Sequence, residues 1–287
     1  MKKYPIYDIQ RFNCNSVNSD LYINTFSNHL INHSFVEEPH RHNFYVLVFF
    51  TNGSGTHEID FDRFTIQPGS VFVLQPGQIH HWDLSGDIEG FVVFYSYEMY
   101  NLYFGQKSID QYPFYSSVTN SPEILLDSAE TKAILPYFNS LIEENQSNKM
   151  LKQDKIMNLL DSIHIDLARK YIETHTHEAH SYNVKIKSFE QFLESNFKTE
   201  KTASFYASHL NITLKHLNRI CNEILKKTTT EVIIHRVILE AKRMLMNKNL
   251  TVNEVATKLG YDDYSYFARL FKKNTGMTPK TFRDSKK

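Results

Sequence analysis

The sequence predicts an α+β protein of two domains, β-rich first and all-α second, on three observations. Residues 1–122 carry short runs dense in Val, Ile, Phe and Tyr, with turn signals about every ten residues. From residue 123 that spacing gives way to apolar residues at helical intervals. Charge divides the chain as well: 12 Lys and Arg stand against 22 Asp and Glu through residue 182, and 20 against ten after it. The halves therefore carry −10 and +10 in a chain of zero net charge. A basic half of this kind suits a polyanion, because Lys and Arg displace counterions from nucleic-acid phosphates. Docking of the two halves on each other is the plainer reading of the same numbers.

A chain of 287 residues is long enough for two cores, and 41% hydrophobic with 22% charged residues fits a globular protein. Cys14 and Cys221 are far apart and make no CxxC pattern. That argues against a disulfide framework or thiolate zinc and fits a reducing cytoplasm. "MKKYPIYDIQ" has no apolar stretch behind its lysines, so no signal peptide is expected, and "FYVLVFF" is too short to cross a bilayer.

In order along the chain, "FYVLVFF", "THEIDFDRFTI", "SVFVLQP" and "GFVVFYSY" read as strands. "TNGSGT", "QPGS", "QPGQ" and "LSGD" read as the turns of a small barrel or sandwich. His40 and His42 stand two apart ahead of the first run, so in a strand both imidazoles share one face. Residues 123–176 hold two amphipathic helices. Ile134, Leu135, Phe138, Leu141 and Ile142 mark one, and Ile156, Leu159, Leu160, Ile163 and Leu167 the other. Pro136 is expected at the first helical position or at a kink. Residues 177–183 read as a linker. His175, His177 and His180 beside it could bind metal, but nothing nearby would fix their geometry.

Residues 184–287 read as an all-α domain with an internal repeat at a period of about 50. "HLNRICNEILKKTTTEV" lies over "YFARLFKKNTGMTPKTF". "YASHL" lies over "VATKL" one residue out of step, which places an extra residue in the second turn. In each copy a short helix carries a small residue, Ala207 or Ala256, and a tight turn leads to a second helix with a basic polar face. Gly260 suits a left-handed helix end, Thr213 and Asp263 suit N-caps, and Thr228 with Glu231 makes a capping box. That box opens a long helix over about 229–247. Two such units at matched spacing are the helix-turn-helix plan used twice.

"RVILEAKRML", followed by "TVNEVATKLGYDDYSYFARLFKKNTGMTPKTFR", resembles the DNA-binding domain of the AraC/XylS transcription regulators, over residues ~184–284. The matching positions include Arg236, Ala241, Leu245, Ala256, Gly260, Tyr261, Asp263, Tyr266, Phe267, Arg269, Phe271, Lys272, Gly276, Pro279 and Arg283. Cys221 and Lys226 depart from the pattern, where phenylalanine and glycine are usual. The resemblance implies two recognition helices entering the major groove on one side of double-stranded DNA. Carried over by position, the readers are Lys215, Asn218 and Arg219 in the first, and Tyr264, Ser265, Ala268 and Arg269 in the second. Arg suits guanine and Asn suits adenine, while Ala268 would meet a thymine methyl. Thr213, Lys272 and Lys273 would hold phosphates; a solvated helix end is the plainer reading of the two lysines. Tyr261, Phe267 and Phe271 point inward by helical spacing.

The β segment, over about residues 30–100, resembles the cupin-like barrel that many members carry upstream. It rests on "PHRHNFYVLVFFTNGSGTHEID" and "FTIQPGSVFVLQPGQIHHW". Metal cupins hold a carboxylate four residues after the second histidine, where this chain has Val46. Three imidazoles, His40, His42 and His80, can still hold zinc. They can equally line a ligand pocket or serve as strand and turn polar residues. The sequence assigns no metal, no cofactor and no catalytic residue. It assigns His40, His42, Tyr45, His57, His80 and Trp82 to a small-molecule effector pocket, with Tyr45 out of phase with His42. The resemblance implies an effector-controlled activator, cytoplasmic, dimeric through residues 123–176, and touching RNA polymerase. Packing of those helices on their own barrel is the other reading. A metal-dependent cupin enzyme fused to a DNA-binding domain is the alternative function.

Overall fold

The computed structural model describes residues 5–12, 20–33, 38–105, 107–115, 120–174, 184–225, 227–246 and 249–285. The expected linker at 177–183, the histidines 175, 177 and 180, and Lys226 lie outside the described residues. The chain divides into two compact units. One spans Pro5–His175, and the other carries the helices from Val184 on.

In the first unit the strands are β1 (Ile6–Tyr7), β2 (Leu21–Thr25), β3 (His40–His42), β4 (Tyr45–Asn52), β5 (Gly55–Ile59), β6 (Asp62–Ile66), β7 (Ser70–Leu74), β8 (Ile79–Leu84), β9 (Glu89–Tyr95) and β10 (Glu123–Leu125). They form two five-stranded sheets, β1-β3-β8-β5-β6 and β10-β7-β4-β9-β2, a cupin-like layering of two sheets. Between the sheets Tyr7, Ile59 and Trp82 meet Val46, Val48, Phe50, Phe72, Val92 and Phe94. The other face of the second sheet is covered by α3 (Ser128–Gln146) and α4 (Lys152–Thr174), onto Leu47, Phe49, Val71, Val73 and Val93. That sheet has no solvated face, and its central strand is accordingly an unbroken apolar run. The first sheet has a polar outer face and reads as alternation.

"THEIDFDRFTI" is a hairpin rather than one strand. It turns at Asp60, whose φ is +51° and whose carboxylate accepts from the Ile79 amide at 3.2 Å. Aspartate tolerates that conformation and ties the turn to β8. Two helices interrupt the region read as β. They are α1 (Phe26–Asn32), capped by Thr25, and α2 (Tyr97–Phe104), capped by Ser96. Pro136 sits inside α3 rather than at its start, and the helix runs on through it. Pro136 and Lys132, one turn before it, are exposed, so water can serve the carbonyl that loses its partner.

The apolar stripes of α3 and α4 are spent on their own sheet: Ile134, Phe138, Leu141, Ile156, Leu160, Ile163 and Leu167 lie in one core with β4, β7 and β9. A dimer would have to use the outward faces. The boundary expected between 122 and 123 falls at the first residue of β10, an edge strand of this sheet.

The second unit holds α5 (Val184–Asn196), α6 (Ala203–His209), α7 (Leu214–Leu225), α8 (Thr229–Leu245), α9 (Val252–Lys258), α10 (Tyr264–Thr275) and α11 (Pro279–Ser285). Helix α8 opens with the Thr228/Glu231 capping box and packs against α6, α7, α9, α10 and α11. Its Arg236 is buried over the Phe197 ring and bonds Glu194 at 2.6 Å and Glu240 at 3.2 Å. Arg283 donates to the carbonyls of Leu245 and Leu250, tying α11 to the exit of α8.

The pairs α6–α7 and α9–α10 are two helix-turn-helix units with one turn geometry. The amide of Ile212 donates to the Ala207 carbonyl at 3.1 Å, and that of Tyr261 to Ala256 at 3.0 Å. Asn211 and Gly260 hold the same left-handed place, with φ of +53° and +74°. The extra residue lies after that point, between Tyr261 and Asp263. A Cβ on Gly260 would overlap the Lys198 carbonyl oxygen. Gly260→Ala is therefore expected to destabilise this unit by about 2 kcal/mol or more, read as a drop in the urea midpoint at unchanged m value.

Candidate functional site

On α7, Leu217, Ile220 and Cys221 are buried, and Lys215, His216, Arg219 and Asn222 are exposed. On α10, Phe267 and Phe271 are buried, and Tyr264, Ser265, Tyr266, Arg269, Lys272 and Lys273 are exposed. Arg269 is two residues from each phenylalanine, about 200° round the helix. It stands at the middle of the solvent face, and Arg219 occupies the same place on α7. Each helix starts from a formed cap. Thr213 Oγ1 accepts from the His216 amide at 3.1 Å, and Asp263 Oδ1 from the Ser265 and Tyr266 amides at 2.7 and 3.1 Å.

Not every residue assigned to reading is equally placed. Asn218 is half-buried, and its Oδ1 accepts from the Thr229 amide at 2.9 Å. It caps the start of α8, so the carbonyl oxygen an adenine would need is already engaged. Ala268 is half-buried on the flank of α10. Thr213 is committed to the cap through its hydroxyl oxygen. Sequence reasoning gave no DNA-contact role to His216, Asn222 or Tyr266, which share the exposed faces. Extending the apolar stripe of each helix and taking its complement would have found them.

In the first unit β3, β5 and β8 lie side by side, with His40 paired to His80 and His57 to Trp82. Alternation turns His40, His42, His57, His80 and Trp82 to the space between the sheets, where all are buried. Tyr45 is not among them. It sits on the opposite face of β4 from Val46, in the core under α3 and α4, and its hydroxyl donates to Asp110 at 3.2 Å. The strand's period of two places it there, one residue out of phase with Val46.

Nε2 of His42 lies 2.8 Å from Nε2 of His80, and Nδ1 of His80 lies 2.9 Å from Nε2 of His57. Nδ1 of His40 donates to the Glu38 carbonyl at 2.6 Å. Burial holds the His40 imidazole down to about 4, and burial with neighbouring imidazoles keeps His42, His57 and His80 well below the ordinary range. All four are neutral near pH 7. Nε2 of His40, Nδ1 of His42, Nδ1 of His57 and the Trp82 indole nitrogen are buried without a hydrogen-bond partner among the described residues. An interior polar group without a partner is costly, so such a cluster favours a ligand that supplies one.

His29 and His33 of the α1 segment join the same interior and went unread. His29 meets the Tyr22 hydroxyl at 3.0 Å and stacks on Phe12. The signal available was Thr25 as a cap, with Phe26, His29 and His33 at helical spacing behind it.

Two family models match the chain: a helix-turn-helix domain over residues 206–285 and an AraC-like ligand binding domain over residues 21–160. The chain is 21% identical over 248 residues to the HTH-type transcriptional activator RhaR of Cronobacter sakazakii, covering 85% of this chain and 86% of that one. It is 23% identical over 264 residues to the arabinose operon regulatory protein of Escherichia coli, covering 87% and 83%. It is 24% identical over 242 residues to the lactose operon transcription activator of Staphylococcus xylosus, covering 83% of each. Among solved structures, unsaturated fatty acid bound ToxT from Vibrio cholerae aligns with a TM-score of 0.45 and 13% identity, over 94% of this chain and 96% of that one. Among the described residues no helix is long and apolar enough to cross a membrane.

Proposed function

The chain belongs to the AraC family of transcription regulators, an effector-controlled DNA-binding protein with a ligand-binding domain ahead of its helix-turn-helix domain, and from that premise we propose how its parts share the work. Lys215 and Arg219 on α7, with Tyr264, Ser265 and Arg269 on α10, read base edges in the major groove. Lys272, Lys273 and the amide-rich start of α7 at Thr213 hold phosphates. Asn218 reads only by releasing its cap on α8. The observation that carries this reading is the duplicated turn, Ala207–Ile212 and Ala256–Tyr261, which presents two matched basic faces from one unit.

His40, His42, His57, His80 and Trp82 receive the effector, a small molecule bearing hydrogen-bonding groups. The names of the relatives from E. coli and S. xylosus, for arabinose and lactose operons, make sugars the first compounds to try. The protein acts in the cytoplasm as an activator, as a homodimer through the outward faces of α3 and α4, and in contact with RNA polymerase. Effector binding shifts an existing equilibrium between DNA-binding arrangements.

The test is footprinting and fluorescence anisotropy of the full chain on fragments of its own upstream region, with and without a panel of sugars. The expected result is footprinted binding whose log affinity falls with log salt at a slope of about −5 or steeper, as for six or more phosphates. It should also change at least several-fold with one compound. Salt-insensitive binding, or no protected site on any fragment, would remove the reading.

A further inference from the structure

We propose that His40, His42 and His80 form a three-imidazole site for one divalent transition-metal ion of the zinc class, held inside the β unit. One ring nitrogen from each lies within 4.8 Å of the others, and all three side chains are buried. The rings are close, with centroids 4.4 Å apart for His40 and His80, 4.7 Å for His40 and His42, and 4.9 Å for His42 and His80. Tetrahedral zinc at its usual nitrogen distance sets ligand atoms about 3.3 Å apart, so small ring movements bring the three nitrogens into place.

The hydrogen bonds around the rings decide which nitrogens can coordinate. His40 spends Nδ1 on the Glu38 carbonyl, which fixes its proton there and leaves Nε2 a buried lone pair without a partner. His80 has His57 Nε2 at its Nδ1, which leaves its own Nε2 free of that duty. That atom faces Nε2 of His42 at 2.8 Å. A cation between three Nε2 atoms uses the His40 lone pair that otherwise has no partner. It also needs no proton between His42 and His80. The Glu38 carbonyl and His57 then act as the outer partners that orient metal-bound imidazoles.

The donor set selects the metal. Val46 faces this interior where a carboxylate would stand, so the site offers neutral nitrogen alone. Imidazole suits zinc, copper, nickel and cobalt, and three protein ligands leave a fourth position open for an oxygen or nitrogen donor from a bound molecule. The proposal deepens the effector-domain reading by giving that domain an ion as well as a small molecule.

The experiment uses the full chain and the metal alone. Cobalt(II) added to the chelator-treated protein should give the intense visible absorption of tetrahedral nitrogen coordination, saturating at one equivalent. Zinc should displace it and raise the thermal midpoint. His42→Gln and His80→Gln should each weaken binding at least 100-fold in competition with a chromophoric chelator, and His57→Phe about tenfold. Replacing His175, His177 and His180 together by alanine should change nothing. The proposal is overturned if the wild type gives no tetrahedral spectrum, or if the triple alanine protein loses it. It is also overturned if folded His42→Gln and His80→Gln proteins bind like the wild type. Should both glutamine variants fail to fold, the wild-type and triple-alanine spectra still decide. No DNA is present, so failure here leaves the sugar-responsive reading standing, and failure of that reading leaves this one.

Discussion

Arg269→Ala lowers affinity for the specific site about 10- to 100-fold, the 1–3 kcal/mol of one bidentate guanine contact, and flattens base preference at one position. The residue is exposed at the centre of the α10 face, away from Phe267 and Phe271. The unfolding free energy should therefore stay within about 0.5 kcal/mol of wild type. Asn218→Ala is the contrast. It removes the acceptor at the Thr229 amide, so about 1 kcal/mol of stability goes, and DNA affinity should change no more than folding does. Anisotropy against specific and scrambled duplexes, alongside urea unfolding of each variant, separates the two. Unaltered base preference in Arg269→Ala would refute its role as a reader.

Acid should destabilise the β unit steeply once the pH falls below the ordinary histidine range. His29 is held down to about 3 and His164 to about 4, burial being the leading cause for each. His164 is fixed as a neutral ring, with Nδ1 donating to the Leu160 carbonyl at 2.6 Å and Nε2 accepting from the Tyr95 hydroxyl at 2.7 Å. Folded, both rings stay neutral where the unfolded chain takes up protons near the ordinary 6.5. The stability they support is whole above that value and falls as pH drops toward the folded values. Below those values both states are protonated and nothing more is lost. At about 1.4 kcal/mol per pH unit for each ring, the two cost about 5 kcal/mol between pH 6.5 and 4.5, comparable to the stability of a domain. His164→Gln keeps a partner for Tyr95 and cannot titrate. Its plot of unfolding free energy against pH should be shallower by one proton over that window. Parallel plots for wild type and variant would remove His164 from the account.

What the sequence disclosed follows from what is local. Thr213, Asp263, Gly260 and the Thr228/Glu231 box each act within a few residues of themselves, so spacing alone identified them, and with them both helix-turn-helix units. The phase of β4 was legible for the same reason, and it already set Tyr45 apart from His42. What escaped depends on partners far along the chain. Nothing near Asn218 announces that its amide reaches Thr229. Nothing near Asp60 shows that a turn there is paired to Ile79. The α1 and α2 segments are short and sit among strand-rich runs, so the Thr25 and Ser96 caps and the 26, 29, 33 spacing of α1 were passed over as helix signals. His42 and His80 meet because β3 and β8 are neighbours, a fact of topology rather than pattern.

Helix α8 has 17 residues, about 25 Å of continuous rod, and it packs against both helices of each hairpin. The two helices proposed to read DNA are thus mounted on one gauge. A changed base pair beneath either helix costs only the contact it carried. An inserted base pair between the two elements is a different kind of error, since it advances the second element by about 3.4 Å and turns it by about 35°. A rigid gauge cannot follow that turn. Operators for this protein should accordingly vary in letters far more readily than in spacing.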